Sequence, residues 1–353
     1  MKESNKTYHD EIHIKNTEKL RELLEDLPSF CKIFFRGIEP TTTSRTRIAY
    51  AYDLKVFFEF IQERYKPYAN RSLEEYELTL LDELTRQDLE EYLEYLSYYK
   101  NECGKEHTNG ERGKMRKLAS LRSFYKYYFT SELIAKNIAL LIPMPKKHEK
   151  EIIRLDYDEV ATLLDEVEEG GKLTKQQLSY HNKTKIRDLA LLTLLLGTGI
   201  RVSECVGLDI GDVDFQNNGI KIRRKGGYEA IVYFGDEVEN ALADYLEKRN
   251  QIIPNTGHEN ALFLSLQNRR LTVRAVENLV KKYAQLVTSL KNITPHKLRS
   301  TYGTNLYRET GDIYLVADVL GHKDVNTTKK HYAAIEDQRR RAAANIVKLR
   351  EQK

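Results

Sequence analysis

The stretch LALLTLLLGTGIRVSEC, residues 189–205, decides how the chain reads. Its first part is a helix apolar enough to be buried, its middle is a Gly-Thr-Gly stop, and Arg201 and Glu204 follow three residues apart. The apolar run is too short for a bilayer, which takes about 20 apolar residues, and threonines and glycines interrupt it. The glycines let the chain turn sharply, which can bring the Arg201 guanidinium close to a bound anion while Glu204 holds it. A helix end with a surface ion pair would carry the same letters, so Arg201 needs partners elsewhere in the chain.

The rest of the composition narrows the class. A chain of 353 residues is long enough for about two domains, each with its own core. With 41% apolar and 31% charged residues and a mean hydropathy of −0.60, it is neither disordered, collagen-like nor a disulfide scaffold, and no membrane span is expected. The opening MKESNKTYHDEI has no signal-peptide apolar region. Cys31, Cys103 and Cys205 lie far apart without metal spacing, which fits a reducing cytoplasm. Net charge is only +4, but residues 72–95 hold nine Asp or Glu and one basic residue, whereas residues 269–308 hold nine Lys or Arg and one acidic residue. Separate acidic and basic surfaces are expected, the basic one suited to a polyanion.

Up to about residue 140 the periodicity is helical. Thr43 or Ser44 caps a helix in which Ile48, Tyr52, Val56, Phe57 and Phe60 form an apolar stripe, and Thr85 with Asp88 has capping-box spacing. A helix near 113–133 puts Met115, Leu118, Leu121, Tyr125 and Tyr128 on one face, with Lys114, Arg116, Lys117, Arg122 and Lys126 spread elsewhere to meet phosphates. The segment LIPMPKKHEKE (141–151) cannot continue a helix and marks a linker. Beyond it, helices are expected over Asp156–Glu168 and Thr184–Leu196. GIKIRR (219–224) and EAIVYF (229–234) form a hairpin with Lys225 at its tip. Val276, Leu279, Val280, Tyr283 and Leu286 line a further helix, Thr294-Pro295 starts another, and Gly321 ends one begun near Asp312.

In the helix after Thr294, His296 and Arg299 fall at i,i+3 beside exposed backbone amides, a geometry that welcomes a phosphate. Arg299 can hold two oxygens in a fork, and His296 can exchange a proton near neutral pH. Lys225 is either a solvated turn residue or a proton donor to a leaving oxygen. His322 directly follows a helix-ending glycine, and Tyr332 stands on a short helix capped by Asn326 or Thr327. Among 23 tyrosines, Tyr332 alone would read as packing.

Taken in order, GTGIRVSEC, RRKGG, HKLRSTYG, LGHKD and KKHY resemble the signature of the tyrosine recombinases, the phage-integrase and Xer family. The resemblance covers residues 153–340 clearly and the first domain more loosely, through its helical pattern and the start TTTSRTRIAYAYDL (41–54). It implies a mainly α fold with a small antiparallel β-sheet: a helical, SAM-like core-binding DNA domain over 21–142, a linker over 143–152, and a mixed α/β catalytic domain over 153–353. Residues 1–20 would be an N-terminal extension, and the C-terminal helix, 336–353, would pack into a neighbouring subunit. The two domains would close as a clamp on DNA.

The same resemblance implies roles. Arg201 and Arg299 would clamp the scissile phosphate, and Tyr332 would attack it and stay attached as a 3′-phosphotyrosine. His296 would assist removal of the tyrosine proton, Lys225 would protonate the departing 5′-oxygen, His322 would hydrogen-bond the phosphate, and Glu204 would support Arg201. No metal or other cofactor is called for. Ser44, Arg45, Lys114, Arg116, Lys117 and Arg122 are candidate DNA contacts. The partner would be duplex DNA, held by a homotetramer, or a heterotetramer with a paralogue, on two sites. The absence of an arm-binding domain points to a simple-site enzyme. One departure is the nucleophile segment, where Tyr332 lies ten residues past His322 and follows His331, a spacing one longer than in many Xer proteins. A type IB topoisomerase would use similar chemistry to swivel a nick, and a catalytically silent DNA-binding protein could keep the same fold.

Overall fold

The first helix, α1 (Tyr8–Glu25), begins where Thr7 and Asp10 cap each other reciprocally, the Thr7 hydroxyl accepting from the Asp10 amide. It is followed by α2 (Ser29–Gly37), α3 (Ser44–Arg64), α4 (Leu80–Glu83), α5 (Arg86–Tyr95), a two-residue hairpin of β1 (Tyr99–Lys100) and β2 (Glu106–His107), and α6 (Glu111–Thr130). These elements come from a computed structural model that describes residues 7–101, 103–146, 153–224, 226–322 and 325. The chain divides into two units, residues 1–150 and 151–353. The expected break between residues 20 and 21 falls inside α1. Leu20 and Leu23 are buried in the first unit's core, and Asn16 donates to the Ser44 hydroxyl at 3.1 Å, so residues 8–20 belong to that unit.

Aromatic rings fill this core. Phe30, Phe34, Phe57, Phe58, Phe60, Tyr92, Phe124 and Tyr128 interlock largely edge to face, Phe34 and Phe124 at 5.0 Å between centroids. Thr43 and the Thr85–Asp88 pair cap α3 and α5 as expected. Of the stripe expected on α3, Phe57 and Phe60 are buried and Ile48 and Val56 pack against the core, with Ala51, Leu54, Phe58 and Ile61 buried beside them, but Tyr52 is exposed. At 100° per residue, Tyr52 stands about 160° around the helix from Leu54.

One charged cluster crosses this core. Asp53 on α3 is fully buried, and Lys117 on α6, also buried, donates to it at 3.1 Å while the half-exposed Arg116 donates to its other oxygen at 2.5 Å.

In the second unit, α7 (Tyr157–Glu169) starts at an Asp156–Glu159 capping box. The long helix α8 (Lys175–Thr198) begins nine residues earlier than expected, because Thr174 and Gln177 form a cap that the polar sequence concealed. It runs through the middle of the unit, buried from Ala190 to Leu195, with α7, α10 (Asp236–Arg249) and α12 (Pro295–Thr310) against it. Between α8 and α10 lie α9 (Val202–Gly207) and an antiparallel sheet in the order β3 (Val213–Asp214), β4 (Gly219–Arg223), β5 (Glu229–Tyr233), with Ile220 opposite Val232 and Ile222 opposite Ala230. α11 (Val273–Val287) and α13 (Ile313–Leu320) complete the described elements. Among the described residues, no helix is long and apolar enough to cross a membrane.

A buried polar chain ties α8 to α11. Tyr283 donates to Asp188 at 3.2 Å, His181 Nδ1 lies 3.0 Å from the Tyr283 oxygen, and Arg187 grips Asp188 at 2.6 and 2.9 Å. The Tyr283 proton goes to Asp188, and the His181 ring closes the chain at the Tyr283 oxygen. Burial, reinforced by the Lys282 charge, holds the imidazole below its ordinary value of 6.5.

Two stability tests follow. Asp53→Ala leaves Lys117 charged and buried without its carboxylate and is expected to cost about 3–5 kcal/mol in urea unfolding. The double change Asp53→Leu with Lys117→Met should recover most of it, whereas a loss under about 1 kcal/mol for Asp53→Ala would mean that the pair is effectively solvated. The unfolded chain protonates His181 at the ordinary imidazole value but the folded chain resists. The contribution is therefore complete above pH 6.5 and lost as pH falls through the lower folded value. Unfolding midpoints measured across this range should drop less in His181→Gln than in the unaltered chain.

Candidate active site

α8 ends at Gly199, whose φ of +63° is left-handed and whose α-carbon faces Tyr302 so closely that a β-carbon would lie 2.4 Å from the ring. The chain then turns, and Arg201 becomes the N-cap of α9. Glu204, buried in the first turn of α9, accepts the Arg201 backbone N–H at 2.7 Å and its Nη1–H at 2.8 Å. One carboxylate thus fixes both ends of the same residue. The Arg201 side chain keeps about a third of its surface exposed, and Nη2 reaches the Gly321 carbonyl at 3.4 Å.

Arg299 approaches from α12, whose start is set by Thr294 and Pro295. It is buried, and its guanidinium donates to the Gly199 carbonyl at 2.6 Å and to the Leu320 carbonyl. One turn earlier, His296 is exposed. α13 ends at Gly321, φ +61°, and half-buried His322 follows, its amide donating back to Ala317 at 2.9 Å. The structure therefore brings Arg201, Glu204 and Arg299 together around the turn that carries His322. Lys225 and Tyr332 lie outside the described residues, as does the expected helix 336–353.

One residue at this site escaped the sequence reading. Arg224, at the end of β4, donates to the Val319 carbonyl at 3.0 Å and to that of Asp318 at 3.5 Å, so a third guanidinium caps α13. The signal was its register: Ile220, Ile222 and Arg224 alternate along one strand face.

Cys205, next to Glu204, is buried, and desolvation pushes its thiol up to about 12, so it offers no thiolate near neutral pH. Among the described residues, no cluster of three His, Cys, Asp or Glu side chains could hold a metal ion.

The basic face expected on α6 is smaller than the sequence suggested. Lys117 is buried on Asp53, and Arg122 is bound to the Ala139 carbonyl at 3.1 Å and to the Ile142 carbonyl, so both serve the fold. Lys114 donates to Ser97 at 2.6 Å, and Ser44 accepts from Asn16. Arg45 is exposed, and Arg116 is half exposed.

Comparison with known proteins is decisive here. The model of the phage integrase family matches residues 153–339. The chain belongs to that family. Among curated phage integrase relatives, tyrosine recombinase XerC of Caldanaerobacter subterraneus subsp. tengcongensis is 32% identical, the match covering 84% of this chain and 80% of that protein. Tyrosine recombinase XerS of Streptococcus agalactiae is 29% identical over 92% of this chain and 97% of its own. The structure of XerH site-specific recombinase bound to palindromic difH substrate, a post-cleavage complex, has the same fold, with a TM-score of 0.66 and 20% identity over 94% of this chain and 89% of that one. As a member of the phage integrase family this chain is a tyrosine recombinase, an enzyme that breaks and rejoins DNA at specific sites.

Glu204→Ala removes the group that holds both the Arg201 amide and its guanidinium. Single-turnover cleavage of a nicked duplex should slow by about 10²-fold, the scale of a misplaced catalytic group, while DNA affinity stays close to that of the unaltered protein. Unchanged cleavage would show that Arg201 keeps its orientation without Glu204.

Proposed function

We propose that this chain recombines duplex DNA through a covalent phosphotyrosine formed by Tyr332, with Arg201 and Arg299 binding the scissile phosphate. The reading is carried by one observation: guanidinium groups from the start of α9 and from α12 both bond to the turn at residues 320–321, beside His322. Cations gathered at one turn suit the charge that builds on the non-bridging oxygens when phosphorus becomes five-coordinate.

In the proposed cycle the Tyr332 oxygen forms a bond to phosphorus as the bond to the 5′-oxygen breaks. The tyrosine proton leaves toward His296, Lys225 gives a proton to the 5′-oxygen, and His322 hydrogen-bonds the phosphate. A 5′-hydroxyl from the partner duplex then attacks the phosphotyrosine, and Tyr332 departs with a proton returned to it. One phosphoester replaces another at each step, so rejoining needs no ATP. Four protomers, all of this chain or shared with a paralogue, would hold two sites and exchange strands through a Holliday junction in the cytoplasm. The helical unit would add phosphate contacts from Arg45 and Arg116, with Ser44 and Lys114 beside them. Strand exchange of this kind serves chromosome-dimer resolution or integration.

The test is capture of covalent adducts on genomic DNA from the source, followed by sequencing of their ends. Adducts are expected at a defined sequence and should vanish in Tyr332→Phe while DNA affinity persists. Adducts that survive the substitution would place the nucleophile elsewhere, and equal loss of binding and adducts would overturn the assignment.

A further inference from the structure

The β4–β5 hairpin is fastened to the helix that carries the His322 turn. Along β4 the side chains alternate, Ile220 and Ile222 buried, Lys221 and Arg223 exposed, and the pleat sends Arg224 to the buried side. Its backbone closes the hairpin: the Arg224 N–H donates to the Tyr228 carbonyl at 2.7 Å, and the Gly227 N–H donates to the Arg224 carbonyl at 3.1 Å. Its side chain lies across the end of α13, bonded to the Asp318 and Val319 carbonyls, where the helix dipole is negative. The fit is close enough that a β-carbon on Gly321 would lie 1.7 Å from Nη1. Arg224 Nε is buried and has no hydrogen-bond partner among the described residues, so the side chain is held in place at the cost of an unmet donor.

We propose that Arg224 is a positioning residue for strand cleavage, a latch that fixes the root of the hairpin, one residue before Lys225 in the sequence, against the turn gripped by Arg201 and Arg299. Successive α-carbons are about 3.8 Å apart, so anchoring Arg224 restricts where the lysine can reach. Ile231 and Tyr233, on the exposed face of β5, give the hairpin no such hold on α13. The inference rests on the proposed role of Lys225 as proton donor.

The experiment compares two duplexes, one with the ordinary 5′-bridging oxygen at the cleavage site and one with sulfur there. A thiolate departs without a proton, so sulfur rescues only those variants whose defect is protonation of the leaving group. Arg224→Ala is expected to form covalent adduct about 10²-fold more slowly on the oxygen duplex and near the unaltered rate on the sulfur duplex. Arg224→Lys, which offers a point charge in place of the fork, should fall between, and Arg224→Gln guards against a folding failure in the alanine variant. A purely structural arginine would slow both duplexes alike.

Lys225→Ala and Arg201→Ala are the controls, the first rescued by sulfur and the second not. If Lys225→Ala is slow on both duplexes, the proton-donor reading fails. If sulfur rescues Lys225→Ala while Arg224→Ala is slow on both or on neither, the latch fails and the donor reading stands.

Discussion

The bonds from Arg201 and Arg299 to the carbonyls of Gly199, Leu320 and Gly321 are the constraint on which the catalytic unit depends. A carboxylate partner would neutralise a buried guanidinium. Carbonyl oxygens compensate for the water it loses while adding no net charge, so the cation keeps its attraction for an anion. The carbonyls belong to the C-terminal ends of α8 and α13, where uncommitted acceptors and the negative end of the dipole coincide. Arg201 also has a carboxylate on it, Glu204, and that contact leaves about a third of the side chain open. A recombinase site assembled this way gathers positive charge on side chains held by backbone carbonyls.

The same constraint explains the two glycines. A helix that must present its last carbonyls to a guanidinium needs an abrupt exit, and the left-handed conformation at Gly199 and Gly321 supplies it. Each also has a side chain pressed against its α-carbon, Tyr302 at Gly199 and Arg224 at Gly321, so conformation and space select glycine together. The motifs GTGIR and LGH are therefore statements about one joint: both place a helix end where an arginine from another element can reach it.

Features that depend on neighbours along the chain were legible in the sequence. The caps at Thr43 and Thr85, the helix starting near Asp156, the hairpin, the Thr294-Pro295 start and the glycine stops stand where the spacing put them, because each is decided within four residues. The early start of α8 was hidden because KQQLSYHNKTK has no apolar stripe, and its most deeply buried polar residue, His181, finds its Nδ1 partner in Tyr283 about a hundred residues away. Lys117 was read as a surface cation although it shares the i, i+4, i+7, i+11 face of Leu121, Phe124 and Tyr128. Only its partner Asp53, on another helix, shows why a lysine can stand there. For the candidate site, order and spacing brought out Arg201, Glu204, Arg299 and His322 but not Arg224, whose partner carbonyls carry no residue-type signal.

The two runs of charge fare differently in the fold. The acidic stretch 72–95 forms the expected acidic surface, with Glu74, Glu77, Glu90, Glu91 and Glu94 exposed, while Glu75 and Asp88 also cap their own turns, Asp82 accepts the amides of Ala135 and Lys136, and Glu83 accepts from the Tyr68 hydroxyl at 2.5 Å. In the basic stretch 269–308, Arg270 is bound to Asp209 and two carbonyls, Lys291 bridges Asp156 and Glu159, and Arg299 is buried at the site. Neutral amides, hydroxyls and carbonyls leave those charges in place, so it is ion pairs such as those of Arg270 with Asp209 and of Lys291 with Asp156 and Glu159 that cancel charge locally. For a DNA enzyme this has a kinetic consequence. The field left at the surface is screened within about 10 Å at 0.1 M salt, so it speeds encounter with DNA most at low ionic strength.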